Sequence, residues 1–195
     1  PPGYPRSMRL ECIAIGPELL TTRRLDTNSV WIDERLAELG LAFHRKTAVG
    51  DDRADLRALV DEALGRSDVI LCTGGLGPTD DDLTLTALAE AINRPLVLDE
   101  EARQLVASRY AALHQARAVD DPGMTPTREK MARIPQGARI LPNPVGAAPA
   151  VWVEVGRTCL VALPGVPAEM EAILEASILP ALAAQSPGTI YLERV

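Results

Sequence analysis

Aromatic residues are scarce in this chain: Trp31, Trp152, Tyr4, Tyr110, Tyr191 and Phe43 are its complete set among 195 residues. So few rings exclude a base-stacking platform for single-stranded nucleic acid and leave the core to aliphatic side chains. Histidine and cysteine are as thin. His44 and His114 are the two imidazoles, and Cys12, Cys72 and Cys159 the three thiols, with no CxxC pairing. A zinc centre would need clustered Cys and His, and a Ser–His–Asp triad would need a histidine inside a nucleophile motif; neither pattern is present. Each cysteine sits in an apolar run, where it reads as a small buried hydrophobe. Their odd number fits a reducing, cytoplasmic setting. No stretch approaches the roughly 18 apolar residues of a membrane span, and no signal-peptide pattern precedes the first strand. Positive charge is short too. Against 27 Asp and Glu stand 20 Lys and Arg, a formal net charge of −7. Nucleic-acid backbones are held by clustered Lys and Arg, so nucleic acid is not an expected partner.

What is present is an ordinary globular mixture, 47% hydrophobic and 24% charged, which excludes global disorder. The length reads as one domain. Residues 1–7 look like an expression scar ahead of Met8, residues 8–184 like the domain itself, and residues 185–195 like the start of a linker or a truncated following domain. A strand is expected over Ile190–Val195.

Short aliphatic runs alternate with amphipathic stretches. Arg9–Ile15 alternates before turning fully apolar, Leu41–Val49 alternates, and Asp68–Thr73 is nearly uniform, as a central parallel strand should be. Between them, Asp26-Thr27 caps a helix with the stripe Val30, Ile32, Leu36 and Leu39, and Asp51-Asp52 caps one through Leu56, Leu59, Val60 and Leu64. Further helices are expected over Leu83–Ile92, Glu100–His114 and Ala168–Ala184. A mobile loop is expected at 115–127, and a hairpin Ala150–Val155/Thr158–Ala162 turns at Gly156-Arg157. Alternating β and α units predict an α/β fold, a three-layer αβα sandwich with a mostly parallel sheet and a β-hairpin addition.

The strongest local signal is Thr73-Gly74-Gly75-Leu76-Gly77-Pro78-Thr79-Asp80-Asp81-Asp82-Leu83-Thr84, which leaves a strand and opens a helix. In open α/β sheets ligands gather at that edge, and glycines there let backbone amides approach an anion. It is neither a Walker A loop nor GxGxxG. A phosphate oxygen about 6 Å from one carboxylate is repelled by roughly 3 kcal/mol at an effective dielectric near 20. Phosphate beside Asp80, Asp81 and Asp82 therefore calls for a cation, and Mg2+ or another divalent metal suits a mixed carboxylate and phosphate shell. Gly50-Asp51-Asp52 and Glu18 are further carboxylates at strand ends, although each Asp also serves as an ordinary helix cap. Lys130 and Arg128 are the nearest candidates for offsetting charge on a reacting phosphate.

Glu18-Leu19-Leu20, Asp26-Thr27-Asn28, Val49-Gly50-Asp51-Asp52, TGGLGPTDDDLT (73–84), NPVGAAPA (143–150) and LPGVPAEM (163–170) occur together and in order. That series resembles the molybdopterin-binding (MoaB/Mog-like, MoCF) domain, most closely the version at the N-terminus of CinA-type competence/damage-inducible proteins, over residues 8–182. The chain departs from the CinA-type pattern at Pro17, at Thr21-Thr22-Arg23 and at Ala148-Pro149-Ala150. The resemblance implies a pterin or nucleotide ligand at the Gly74–Gly77 edge, a divalent metal and a homo-oligomer. In Mog-like enzymes the reaction is adenylylation of molybdopterin. In CinA-type proteins this domain is associated with hydrolysis of ADP-ribose-like diphosphates, and a separate C-terminal deamidase domain, absent from this chain, acts on nicotinamide mononucleotide. By motif, Asp82 and Asp51 are the leading catalytic positions, with Asp82, Asp81, Asp51 and Glu18 as metal ligands. Thr73, Gly74, Gly75, Gly77, Thr79, Asn28, Asn143, Gly146, Pro164 and Gly165 form the substrate-binding set. The expected activity is metal-dependent hydrolysis of a nucleotide diphosphate. Adenylyl transfer to a pterin, and a catalytically silent binding and oligomerisation module, are the alternatives.

Overall fold

Runs of Ile, Val and Leu with no polar face bury most area as central strands covered on both sides. In the computed structural model, which describes residues 8–21 and 24–185, they do so. The strands are β1 (Leu10–Ile15), β2 (Phe43–Val49), β3 (Val69–Thr73), β4 (Leu96–Leu98), β5 (Arg133–Pro135), β6 (Arg139–Leu141), β7 (Ala150–Val155) and β8 (Thr158–Leu163). Six of them form one sheet in the order β2-β1-β3-β8-β7-β6, while β4 and β5 pair as a separate antiparallel ribbon. β1, β2, β3 and β8 run parallel; β7 is antiparallel to β8, and β6 to β7. The carboxyl ends of the parallel strands therefore line one edge, with Ile15 opposite Val49 and Thr73 opposite Leu163. From β1 the chain crosses to β2 on one side and returns to β3 on the other. A sheet of this kind opens a crevice where its strand order reverses.

The helices are α1 (Thr27–Glu38), α2 (Arg53–Leu64), α3 (Thr84–Ala91), α4 (Glu100–Gln115), α5 (Pro126–Lys130), α6 (Pro167–Ile173) and α7 (Leu179–Gln185). One face of the sheet, through Ile13, Ile70, Cys72 and Leu160, packs on Leu56 and Val60 of α2, Leu88 of α3 and Val106 of α4. The other, through Leu10, Leu71, Val161 and Leu163, packs on Ile32 and Leu36 of α1 and Met170 and Ile173 of α6. The result is the expected three-layer sandwich. All three cysteines are buried in it, and burial pushes their thiols up, those of Cys12 and Cys159 to about 12. Among the described residues no helix is long and apolar enough to cross a membrane.

Several details depart from the sequence pattern. Val30 is 51% exposed rather than part of the buried stripe. Ser29 turns inward in its place because its N–H and hydroxyl both reach the Asp26 cap, so the buried stripe runs Ser29, Ile32 and Leu36. The last helix is not uniform. Pro180 has no N–H to donate, and Leu174–Ile178 widens into a π turn, in which Leu179 N–H reaches back to Leu174. β4, β5 and β6 have three residues each, too few to show a period. The strand expected at 190–195 lies outside the described residues.

Glu11, which alternation would place on a polar face, is 1% exposed in the middle of the sheet. Arg66 donates to its two carboxylate oxygens at 3.0 and 2.6 Å, and Ser67 Oγ donates at 2.9 Å. Burial alone would raise the Glu11 pKa. The hydrogen bonds from Arg66 and Ser67 outweigh that and hold it below the ordinary carboxylate range. A lowered folded pKa makes the contribution of Glu11 full above its unfolded value, and it is lost as pH falls through the folded value. Replacing Arg66 by Met leaves the carboxylate buried without its cation and should cost about 2–4 kcal/mol at neutral pH. Urea unfolding checks this, and the penalty should shrink as the buffer is acidified through the carboxylate range.

Candidate functional site

The site begins with close backbone packing at the end of β3. Gly74 takes φ +110°, and a Cβ there would lie 2.3 Å from the Ile15 carbonyl oxygen. Gly75 takes φ +66°, and a Cβ there would lie 2.2 Å from Thr84 Oγ1. Glycine is therefore required at both positions by conformation and by space. Gly74 N–H donates to Leu163 O at 2.9 Å, and Thr84 Oγ1 donates to Gly74 O at 2.8 Å, which pins the loop between β8 and the start of α3. The amides of Gly75, Leu76 and Gly77 make no hydrogen bond to another described residue. They remain available to an anion.

Asp82 folds back on the loop. Its Oδ2 accepts from Thr79 N–H at 2.8 Å and from Thr79 Oγ1 at 2.6 Å, while Lys130 Nζ of α5 donates to the Thr79 carbonyl. Lys130 is thus spent on positioning the loop. Arg128 lies 3.9 Å over the Tyr110 ring and donates to the carbonyls of Asp121 and Gly123.

After β2, the two acids divide their work. Asp52 caps α2, accepting from Ala54 N–H at 2.8 Å and Asp55 N–H at 2.9 Å, whereas Asp51 lines the cleft. Burial, then the charges of Asp81, Glu18 and Asp82, push the Asp51 carboxyl above its ordinary range. Asp81, Glu18 and Asp82 thus lie near enough to Asp51 to oppose its charge. They are hard oxygen donors of the kind Mg2+ takes. Among the described residues, however, no three His, Cys, Asp or Glu side chains form a ready-made metal cage.

One cleft of about 640 Å3 is lined by Glu18, Asp51, Gly74, Gly75, Gly77, Thr79, Asp81, Asp82, Pro164 and Gly165, together with Ile15, Arg24, Leu76, Tyr110, Met131, Ala147, Ala148 and Glu169. Thr73 and Asn28 line an adjoining hollow of about 100 Å3, where Asn28 Nδ2 donates to Gly165 O at 2.9 Å. Asn143 and Gly146 line neither. The Asn143 side chain braces its own loop, accepting from Val145 N–H at 3.0 Å and Gly146 N–H at 2.7 Å. Arg24, Glu169, Tyr110 and Met131 were not singled out from the sequence. For Glu169 the available signal was its place within LPGVPAEM, one turn into a helix at the ligand edge.

Residues 11–184 match the family model MoCF_biosynth, described as a probable molybdopterin binding domain. A CinA-like protein from Anaeromyxobacter sp. (strain Fw109-5) is 43% identical over 178 residues, covering 91% of this chain and 42% of its own length. The chain thus spans under half of that relative. The crystal structure of the protein CinA with unknown function from Thermoplasma acidophilum superposes with a TM-score of 0.79 at 36% identity, over 87% of this chain and 95% of that one. The molybdopterin biosynthesis enzyme MoaB from Thermus thermophilus shares the fold, with a TM-score of 0.60 at 22% identity over 92% and 98% of the two chains.

The raised Asp51 pKa has a measurable consequence. Where the folded pKa exceeds the unfolded one, the charged group costs stability above the folded value, and the cost vanishes as pH falls below the unfolded one. Asp51→Asn should therefore stabilise the cation-free protein at neutral pH by about 0.5 kcal/mol, or about 1–2 °C in Tm. The gain should disappear in acid. Differential scanning calorimetry at the two pH values checks this, and a lower Tm for the variant at neutral pH would contradict the arrangement.

Proposed function

The chain belongs to the molybdopterin-binding-domain family, in its CinA-type form, and from that premise we propose that its cleft binds a nucleotide through its phosphates with a divalent cation and transfers the adenylyl group to a pterin. The observation that carries this reading is the meeting, in one cleft, of three uncommitted loop amides with Asp51 and the three carboxylates that oppose its charge. An acidic pocket of this kind repels a bare phosphate and accepts a phosphate–cation pair. Asp82 and Asp51 would hold the cation, with Asp81 and Glu18 beside them. Lacking a complete protein cage, they fit a cation that takes its remaining ligands from phosphate oxygens and water, as Mg2+ does. When bound, Mg2+ offsets negative charge on the phosphates and on the departing diphosphate.

The chain's own groups divide the remaining tasks. The N–H groups of Gly75, Leu76 and Gly77 donate to phosphate oxygens, and the Thr79 clamp on Oδ2 holds Asp82 in one orientation. Lys130 fixes the carbonyl of that same Thr79 from α5. The wall of Tyr110, Met131, Ala147 and Ala148 gives a planar ring an apolar surface beside the reacting phosphate. MoaB of Thermus thermophilus, which has this fold, is named a molybdopterin biosynthesis enzyme. The family description, a probable molybdopterin binding domain, supports a pterin as the acceptor.

Hydrolysis of an ADP-ribose-like diphosphate is the second reading. In that reading Asp51, which lines the cleft with Asp81, Asp82 and Glu18, would orient the attacking water. The proposal also includes a cytoplasmic homo-oligomer, for which Leu20, Leu25, Val30 and Val166 leave exposed apolar surface.

Product analysis separates the readings. With ATP, Mg2+ and molybdopterin, the expected products are adenylylated pterin and diphosphate, and Asp82→Asn should slow turnover by roughly 10- to 100-fold while leaving the Tm close to wild type. AMP and ribose phosphate formed from ADP-ribose, with no transfer, would establish the hydrolase. Binding without either turnover would establish a silent module.

A further inference from the structure

A second cavity, of about 190 Å3, lies between the glycine loop, α3 and the β4–β5 ribbon. It shares Gly75, Leu76, Gly77 and Asp82 with the cleft, whereas Leu85, Leu96, Lys130 and Arg133 line it and not the cleft. Its body is apolar. Leu76 and Leu85 are buried, and Leu96 is half-buried. Its charge is the reverse of the cleft's. Two cations, Lys130 and Arg133, share the lining with one carboxylate, Asp82, whose Oδ2 already accepts from Thr79 N–H and Oγ1. Lys130 makes no ion pair with a described Asp or Glu, and the Thr79 carbonyl takes one of its three N–H groups. Arg133 gives Nη2 to Glu129 at 2.8 Å, which leaves its Nε and Nη1 without a partner among the described residues.

An apolar space with a surplus of cation selects an anion with an apolar body. The surplus is a single charge, so a monoanion balances it, while the second charge of a dianion such as phosphate is left facing Asp82. A carboxylate suits the donors, since its two oxygens can accept from the Lys130 ammonium and the Arg133 guanidinium together. The size sets the rest: an apolar cavity of roughly 150 Å3 takes up benzene, so this one holds a body of about six carbons beside its carboxylate. We propose that the cavity is a binding site for a small apolar monocarboxylate of benzoate size, its carboxylate on Lys130 and Arg133 and its body against Leu76, Leu85 and Leu96. The site is separate from the phosphate–cation cleft and does not depend on the reading given to that cleft. Lys130 connects the two, because the ammonium that receives the carboxylate also holds the Thr79 carbonyl, and Thr79 holds Asp82.

The test uses the whole chain, with sodium benzoate as the probe and benzamide, of the same shape without the charge, as its control. Binding is measured by calorimetry. Wild type should bind benzoate saturably and roughly 10- to 100-fold more tightly than benzamide. Lys130→Met and Arg133→Met should each weaken benzoate about 10-fold and leave benzamide nearly unchanged. Leu96→Trp, which fills the space, should bind neither. Arg133 is exposed and its pair with Glu129 lies at the surface, so Arg133→Met should keep the wild-type Tm and carries the test should another variant fail to fold. Equal binding of benzoate and benzamide by wild type, or no saturable binding of benzoate up to about 10 mM, overturns the proposal. Benzoate binding unchanged in Arg133→Met also overturns it, and places the anion on the amides of the glycine loop.

Discussion

Gly74 is the point where three backbone segments meet without a side chain between them. Its amide closes onto Leu163, the carbonyl of Ile15 fills the space a Cβ would need, and a Cβ on Gly165 would lie 3.2 Å from its Cα. The loops after β1, β3 and β8 are thereby drawn into contact at the reversal of strand order. The rest of the site is arranged around that contact. Gly75 turns the chain toward Thr84 and α3, the following amides are left uncommitted, and Asp82 returns to cap its own loop through Thr79. A larger residue at position 74 would separate the strand ends and the cleft with them.

Charge is the second constraint. A chain with an excess of acid places Asp51, Asp81, Asp82 and Glu18 around a loop suited to an anion, and Asp51 registers the resulting repulsion in its raised pKa. Lys130 and Arg128 are otherwise engaged, the first on the Thr79 carbonyl and the second on Tyr110 and the 121–123 loop. Arg24 is an exposed side chain in the cleft's lining. The proposed cation would offset the charge that opposes Asp51. Elsewhere the fold meets the same problem in another way. Glu11 is buried in the sheet and neutralised permanently by Arg66.

Much of this was legible in the sequence, for identifiable reasons. The central strands announce themselves because burial on both faces demands uniform apolar runs, and the TGGLGPT loop because close backbone approach demands glycine. What was not legible depends on partners distant in sequence. Glu169 acquires its setting from Asn143, 26 residues away, and from the missing Cβ of Gly146, neither of which any periodicity reveals. The division of labour between Asp51 and Asp52 follows from which one reaches the amides of α2, a matter of one residue's rotation. The inward turn of Ser29 depends on a cap competing with hydrophobic patterning, and β4, β5 and β6 are strands only because each finds a partner.

The central claim is that the loop amides and the carboxylates act on one phosphate–cation pair. Its most direct test is a crystal of the protein grown with Mn2+ and a non-hydrolysable ATP analogue, with anomalous scattering used to locate the metal. The account predicts phosphate density against the amides of Gly75, Leu76 and Gly77, and a manganese peak shared between those phosphates and Asp51 or Asp82. Nucleotide bound away from the glycine loop, or phosphates on the loop with the metal remote from both aspartates, would contradict it.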